Sequence, residues 1–141
     1  MNYYLDTSVV VALVLRDSHT AKAEAWLEHA APACIVSDFC AIEFASVVSR
    51  QVRMRHLSTA DGSAALDLFD EWTARTAQVV TSSGEHMEAA SRMVRNFDTK
   101  LSAPDAIHLA VAKYHGLALA TFDERLGNAA RRENVKIVVP E

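Results

Sequence analysis

The feature of this sequence that most constrains its fold is the alternation of short apolar runs with longer amphipathic segments. The runs at residues 33–36 and 117–120 have the length of buried strands, whereas residues 38–56 show the periodicity of a helix. This alternation is typical of an α/β fold built on a parallel sheet. The sequence therefore predicts a central parallel sheet of about five strands flanked by helices.

The apolar pattern and the capping residues set the bounds of the predicted elements. The strands are predicted at residues 3–6, 33–36, 78–81, 117–120 and 136–139. The helices are predicted at residues 7–15, 18–30, 38–56, 59–76, 83–96, 103–115 and 124–133, with residues 96–100 as a loop. Ser37 or Asp38 is the expected cap of the third helix, and Thr59 that of the fourth. With 141 residues and no internal repeat or linker, the chain is expected to form one domain over residues 1–141.

Composition excludes some classes of protein and leaves others open. The formal net charge is -4, so a phosphate backbone would have to be held by a local basic patch. Cys34 and Cys40 do not form a Cys-x-x-Cys pair, and two thiols suggest buried packing roles in a reducing compartment. The apolar run 9–15 is too short for a signal peptide or a membrane span, so a cytoplasmic protein without membrane contact is expected.

Four acidic residues fall where a parallel sheet binds its ligands, beyond the carboxyl ends of the strands. Asp6 ends the first predicted strand, and Asp123 follows the fourth by a turn. Asp105 opens the helix that leads into the fourth strand, and Glu43 lies about one turn into the helix after the second. One site at this edge of the sheet could therefore collect all four carboxylates.

Each acid also has a structural interpretation. Asp6 and Asp123 are placed to cap helices, and Asp105 completes Ser102-Ala103-Pro104-Asp105, which resembles a capping box led by Ser102. Taken singly, each of these acids is more often a cap than a ligand. Glu43 lies in an otherwise apolar run, 39–45, where burying an unpaired carboxylate costs several kcal/mol. No lysine or arginine occurs one turn away, so a metal ion is its expected partner. The alternative is an acid at the edge of the apolar stripe that reaches water.

A site of clustered carboxylates indicates a bound cation, because unpaired like charges repel. Hard oxygen ligands select Mg²⁺ or Mn²⁺ over zinc, and such ions bind phosphate oxygens and activate water. The reaction that follows is metal-assisted phosphodiester hydrolysis by a water-derived nucleophile, without a covalent intermediate. The hydroxyls of Thr7, Ser8 and Thr121 lie beside the acids and would orient waters or ligands, with helix capping as an equally good interpretation.

Four segments resemble the motifs of PIN domains, and in particular those of VapC-type toxins from toxin–antitoxin pairs. They are residues 4–8, 42–45, 104–110 and 121–126, each containing one of the four acids. The resemblance spans the whole chain and implies a PIN-like three-layer fold. It also implies cleavage of RNA with Mg²⁺ (or Mn²⁺), often of structured RNA such as tRNA or rRNA, by a homodimer that a cognate antitoxin inhibits.

Four other residues are candidates for secondary roles at such a site. Arg92, Arg95 and Lys100 precede the Asp105 motif and are candidate RNA contacts. His108 lies one turn after Asp105 and could face the site, although a satisfied structural histidine is the preferred interpretation.

Three alternatives to a nuclease differ in the residues that they require. A PIN fold that binds RNA or protein without cutting would also carry the four motifs. A receiver-like phospho-acceptor domain would need a pair of acids before Asp6 and a late lysine, and the only late lysine is Lys136. A haloacid-dehalogenase-like enzyme would need Asp-x-Asp, which the sequence Asp6-Thr7-Ser8 lacks.

Overall fold

The computed structural model describes residues 1–141 and contains five strands and seven α-helices. The strands are β1 (Asn2–Leu5), β2 (Ala33–Ser37), β3 (Ala77–Val80), β4 (Ala118–Ala120) and β5 (Ile137–Val138). The helices are α1 (Thr7–Val14), α2 (Thr20–Ala30), α3 (Asp38–Arg53), α4 (Thr59–Thr76), α5 (Gly84–Arg95), α6 (Ala103–Tyr114) and α7 (Glu124–Arg132). A single 3₁₀ turn covers Phe97–Thr99.

All strand pairs are parallel, and the strand order across the sheet is β3-β2-β1-β4-β5. The chain runs outward from β1 to β3 on one side and then returns to place β4 on the other side of β1. The direction of winding therefore reverses between β1 and β4, and the crevice at such a reversal is where open α/β sheets bind ligands. The backbone N–H of Asp6 donates to the carbonyl of Ala120 (3.1 Å), so both strands end at this crevice.

Helices cover both faces of the sheet, because successive strand residues point to opposite faces. Tyr4, Ile35 and Leu119 belong to a buried cluster shared with α5, α6 and α7. Their neighbours in the strands belong to a second cluster shared with α1 to α4, which contains Leu5, Cys34, Val36, Ala120, Trp26 and Phe44. The predicted three-layer α/β fold is confirmed.

The observed elements differ from the predicted ones mainly at their ends. Helix α3 stops at Arg53 rather than at residue 56, because Arg55 adopts a left-handed conformation (φ 60°) that ends the helix. Ser58, not Thr59, caps α4 by accepting a hydrogen bond from the N–H of Asp61. The predicted loop at residues 96–100 contains the 3₁₀ turn, and β5 is shorter than expected.

Two further expectations can be compared with the structure. Cys34 and Cys40 are free thiols and both are buried, as their packing roles predict. Burial raises the pKa of the Cys40 thiol to about 12, so this group is protonated at neutral pH. None of the helices combines the length and hydropathy needed to cross a membrane.

Candidate active site

A cleft of about 490 Å³ opens at the carboxyl end of the sheet, beside the β1–β4 crevice. All four predicted acids contribute to its walls, and so do the predicted hydroxyls of Thr7 and Ser8. The other lining residues are Val11, Asp17, His19, Val47, His108 and Phe122. The fold therefore brings together carboxylates that are separated by up to 117 positions in the sequence, from Asp6 to Asp123.

Asp6 is almost completely buried, with only 4% of its surface exposed. Its Oδ1 caps α1 by accepting from the N–H of Val9 (3.2 Å), and it also accepts from the hydroxyl of Ser8 (2.6 Å). Its Oδ2 accepts from the hydroxyl of Thr121 (2.5 Å). Thr121 does not itself line the cleft but is the buried donor behind Asp6.

Burial raises the pKa of the Asp6 carboxyl above its usual range, even though hydrogen bonds from Ser8 and Thr121 favour the charged form. Three neutral donors therefore do not compensate for the loss of water around this carboxylate. A nearby cation would favour its ionised form further.

Asp105 and Asp123 lie at the first turns of neighbouring helices. Asp123 caps α7 by accepting from the N–H of Leu126 (3.1 Å), so its structural role is confirmed. The cap of α6 is Ser102, which accepts from the N–H of Asp105 (3.3 Å). The reciprocal bond of a capping box, from the Ser102 N–H to the Asp105 carboxylate, does not form, and Asp105 lines the cleft instead.

Burial also raises the pKa of Asp105, and the negative charges of Asp123 and Asp6 raise it further. Mutual repulsion among carboxylates is the electrostatic property expected of a site that binds a cation. In this site the negative charges of two neighbouring acids raise the pKa of Asp105, which is not the capping residue of its helix.

Glu43 lines the cleft from α3, on a part here called the Glu43 wall together with Thr7 and His108. It has protein partners that the sequence did not reveal. Its Oε1 accepts from Nε2 of His108 in a very short contact and from the hydroxyl of Thr7 (2.7 Å). His108 is buried, and its Nδ1 forms a hydrogen bond with the hydroxyl of Tyr4 (2.6 Å). The Tyr4 hydroxyl also bonds the Ser37 hydroxyl (2.8 Å), so a chain of hydrogen bonds runs from Glu43 into the core.

The sequence predicts a metal ion as the partner of Glu43 and does not reveal this protein partner; the metal ion stays a prediction. His108 is 65 residues away from Glu43 in the sequence, so the residues one turn away on the same helix give no sign of it. The preferred interpretation of His108 as a satisfied structural histidine is confirmed by its burial and bonds, but the side chain also borders the cleft.

The Glu43 wall and the wall that contains Asp6, here called the Asp6 wall, shift their carboxyl groups in opposite directions. Burial alone would raise the pKa of Glu43, but the hydrogen bond and charge of His108, together with the Thr7 hydroxyl, lower it overall. Protein groups therefore favour the ionised form of Glu43, whereas the pKa values of Asp6 and Asp105 are raised.

The side chains at this cleft fit a hard divalent cation by their chemistry. Asp6, Asp105 and Asp123 offer only oxygen donors, the type that Mg²⁺ and Mn²⁺ prefer. No three histidine, cysteine, aspartate or glutamate side chains are drawn together into a tight ligand cluster. Asp6 and Asp123 bond to helix N–H groups and Glu43 bonds to His108, so each is partly held by protein donors.

A second, more polar cleft of about 760 Å³ adjoins the first and shares Asp105 and Asp123 with it. Its walls carry the cations Lys100, Arg125 and Arg132, none of which has a carboxylate partner within 4.0 Å. Of the three basic residues proposed from sequence to bind RNA, only Lys100 lies here. Arg92 lines a separate small cleft beside Lys113 and Glu133, and Arg95 lines neither of the two clefts.

An aromatic pair at the rim of the first cleft was not anticipated from the sequence. The rings of His19 and Phe122 are stacked, with centroids 4.3 Å apart and planes 13° apart. The position of Phe122 directly before Asp123 was the only sequence feature that linked it to the site. Its partner His19 lies more than 100 residues earlier in the sequence.

Comparison with known proteins identifies the family. A family model described as the PIN domain matches residues 3–132. The chain belongs to the PIN-domain family. No curated protein has significant sequence similarity to this PIN domain.

Solved structures share the fold of this PIN domain over nearly its full length. The VapBC2 structure from Rickettsia felis, bound to a promoter DNA fragment, has a TM-score of 0.74 at 16% identity and covers 100% of both chains. VapC20 from Mycobacterium tuberculosis, described as a toxin that cleaves the sarcin-ricin loop, has a TM-score of 0.72 at 21% identity and covers 91% of this chain and 95% of that one. FitAcB from Neisseria gonorrhoeae has a TM-score of 0.69 at 19% identity, with 98% and 97% covered.

Proposed function

We propose that this PIN domain is a metal-dependent endoribonuclease that acts as the toxin of a toxin–antitoxin pair. The observation that carries the proposal is that Asp6, Glu43, Asp105 and Asp123 line one cleft at the switch point of the sheet. The raised pKa values of Asp6 and Asp105 support it, because these groups gain most from a bound cation.

Asp6, Asp105 and Asp123 would hold Mg²⁺ or Mn²⁺, with Glu43 also bordering the ion's cleft. A divalent ion held there would activate a water and offset charge on the phosphoryl group. Ser8 and Thr121 fix the orientation of the Asp6 carboxylate, and Thr7 does the same for Glu43. His108 keeps Glu43 ionised, so that this carboxylate can accept a hydrogen bond from a water near the reacting phosphate.

The substrate strand would run from the acidic cleft into the adjoining polar cleft. Lys100, Arg125 and Arg132 are available there for phosphate contacts, and the guanidinium of Arg132 is already positioned by donating to the carbonyl of Asp98 (2.6 Å). The exposed Arg92 and Arg95 would contact phosphates further along the RNA. The net charge of -4 does not oppose this arrangement, because three of the basic side chains that would contact phosphates are concentrated in one cleft.

The partners of the solved relatives suggest those of this chain. FitAB is described as bound to an IR36 DNA fragment, and VapBC2 from Rickettsia felis as bound to a fragment of its promoter. A structure from Klebsiella pneumoniae is described as a toxin–antitoxin complex. By analogy we propose a cognate antitoxin that blocks the cleft, and a cytoplasmic homodimer. Sedimentation of the purified chain would measure the oligomeric state, and growth arrest relieved by a co-expressed neighbouring gene product would identify the antitoxin.

The direct test is cleavage of total RNA by the purified chain, free of any partner, with Mg²⁺ or Mn²⁺ and with EDTA. Asp6→Asn is the informative variant, because asparagine also caps helices well and the fold should persist. Asp67→Asn is its matched control, since Asp67 is an exposed acid of α4 outside the cleft. Discrete fragments are expected from the wild type and the control in metal, and none from Asp6→Asn or in EDTA.

A folded wild-type chain that cuts no RNA in either metal would contradict the proposal. Binding of RNA or protein without cutting would then favour the alternative, a PIN fold that serves as a binding module. Mapping the fragment ends would show whether the target is tRNA, rRNA or another RNA.

A further inference from the structure

The stacked pair of His19 and Phe122 lies on the wall of the same cleft as the four carboxylates. Phe122 is half-buried, whereas the His19 side chain keeps 48% of its surface exposed. Phe122 stacks on one face of the imidazole, and close to half of the His19 side chain still remains accessible to a ligand. The cleft therefore offers a flat aromatic surface next to the acids.

We propose that His19, supported by Phe122, is a base-stacking platform that takes an unpaired nucleobase beside the phosphodiester the carboxylates act on. This inference rests on the proposed ribonuclease function and adds the class of substrate, namely RNA with an unstacked nucleotide at the cleavage site. Bases inside an RNA duplex are stacked on their neighbours and inaccessible to such a ring.

The backbone around His19 is fixed before any ligand binds. The N–H of His19 donates to the carboxylate of Asp17 (2.8 Å), and the N–H of Asp17 donates to the hydroxyl of Thr20 (2.8 Å). Thr20 is buried and donates to the carbonyl of Ala12 in α1 (2.6 Å). A platform that is already ordered loses little conformational entropy on binding, which favours affinity.

The supporting ring is tied to the carboxylate site. The backbone N–H of Phe122 donates to the hydroxyl of Ser8 (3.1 Å), and the same hydroxyl donates to Asp6 (2.6 Å). Asp123, the next residue, caps α7 and lines the cleft. The stacking surface therefore has a fixed position relative to two of the acids, as a residue that positions the substrate requires.

Stacking accounts for the exposed ring better than packing alone. A ring whose only role is to pack the segment between α1 and α2 would stabilise the fold most if both of its faces were buried. Base stacking on an aromatic side chain is sequence-tolerant, because every base presents a π-face. His19 would therefore contribute to affinity for unpaired RNA without choosing one base.

The test compares two ten-unit probes by fluorescence anisotropy in Mg²⁺: labelled oligoadenosine RNA and a labelled abasic ribose-phosphate chain of the same length. All proteins carry Asp105→Asn so that the RNA stays intact. The parent should bind the RNA about fivefold or more tightly than the abasic chain, as expected for one stacked base. His19→Ala should remove this preference and leave binding to the abasic chain unchanged.

Three further variants make the result specific to stacking. His19→Phe retains a ring and should retain the preference, whereas His19→Leu keeps apolar packing on Phe122 and should lose it even if His19→Ala loosens the segment. His29→Ala is the matched control, since His29 is an exposed histidine of α2 outside the cleft. Melting curves of all variants would verify that they are folded.

A base preference that persists in His19→Ala and His19→Leu would overturn the inference, and so would a parent that binds both probes equally. Either result leaves the nuclease proposal intact if total RNA is still cut. Loss of binding to both probes in His19→Ala would assign the residue to a phosphate or protein contact and would also contradict a stacking role.

Discussion

Two walls of one cleft hold carboxylates by different means. The Asp6 wall supports its acid with the neutral donors of Ser8, Thr121 and the Val9 N–H. The Glu43 wall supports its acid with His108, a side chain that can carry a positive charge. Burial is the largest influence on the pKa of both acids, yet the pKa of Asp6 is raised and that of Glu43 is lowered.

This difference indicates where a cation is needed. A bonded histidine lowers the pKa of Glu43 despite its burial, whereas the hydrogen bonds of Asp6 and the charge of His108 together do not offset the burial of Asp6. A cation would therefore stabilise the ionised form of Asp6 the most. Asp105 resembles Asp6, because burial and the charges of its neighbours raise its pKa. We therefore expect Asp6 and Asp105 to bind the metal ion most directly, with Glu43 contributing more through water.

The largest predicted effect is that of Asp105→Asn on cleavage. Asp105 lines the cleft and closes no capping box, so its removal should leave the fold intact. A divalent ion held by Asp105 would contribute several kcal/mol to catalysis, so on the proposed mechanism kcat/KM should fall about a thousandfold. The free energy of unfolding in EDTA should stay equal or rise slightly, because the repulsion between Asp105 and Asp123 is removed. A large decrease would show that Asp105 has a structural role instead.

The second prediction concerns stability and the Glu43 wall. His108→Ala removes the hydrogen bonds of the imidazole to the Glu43 carboxylate and to the Tyr4 hydroxyl, which keep only Thr7 and Ser37 as partners. The free energy of unfolding should fall by about 3 kcal/mol. Thr121→Val removes one neutral donor from the Asp6 wall and should cost about 1 to 2 kcal/mol. Urea unfolding of both variants measures the difference, and equal losses would remove the distinction between the walls.

The third prediction follows the hydrogen bonds from His108 into the core. Tyr4→Phe removes the hydroxyl that joins His108 to Ser37 and should cost about 1 kcal/mol. If the chain of hydrogen bonds orients the imidazole, cleavage should fall by a small factor as well. Unchanged stability together with unchanged cleavage would show that His108 is held by packing alone.

The smallest effects are opposite changes of stability with pH. The folded-state pKa of Glu43 lies below its ordinary 4.5. Ionised Glu43 therefore adds to the free energy of unfolding above pH 4.5, and this contribution is lost as the pH falls through the folded-state pKa. The folded-state pKa of Asp6 lies above its ordinary 3.8, so stability declines as the pH rises from 3.8 through the folded value.

These opposite slopes can be measured in EDTA by urea unfolding between pH 3 and neutrality. Relative to the wild type, Asp6→Asn should become more stable as the pH rises through its window. Glu43→Gln should lose less stability on acidification than the wild type. Slopes of the same sign for the two variants would contradict the account.

The order of elements and the edge at which the acids meet were predictable from the sequence. Alternating apolar runs and helices determine a parallel sheet, and the strand ends at Leu5 and Ala120 place Asp6 and Asp123 at one edge. The local caps at Asp6, Asp123 and Ser102 were also visible, because capping depends on residues within one turn.

The partners of the acids were not predictable, because they depend on contacts between distant segments. The Glu43–His108 bond and the His19–Phe122 stack each join residues more than 60 positions apart. Hydrophobic periodicity assigns a residue to a face of a helix but does not specify which side chain opposes it. For the same reason, Arg92 and Arg95 were grouped with Lys100 by sequence alone, whereas only Lys100 borders the clefts of the site.

The most direct test of the central claim is a calorimetric titration of the purified, RNA-free chain with Mn²⁺. The account predicts saturable binding that is lost in Asp6→Asn and Asp105→Asn, weakened in Glu43→Gln, and unchanged in Asp67→Asn. Binding that survives both Asp6→Asn and Asp105→Asn, in variants shown to be folded, would contradict the assignment of this cleft as the metal site.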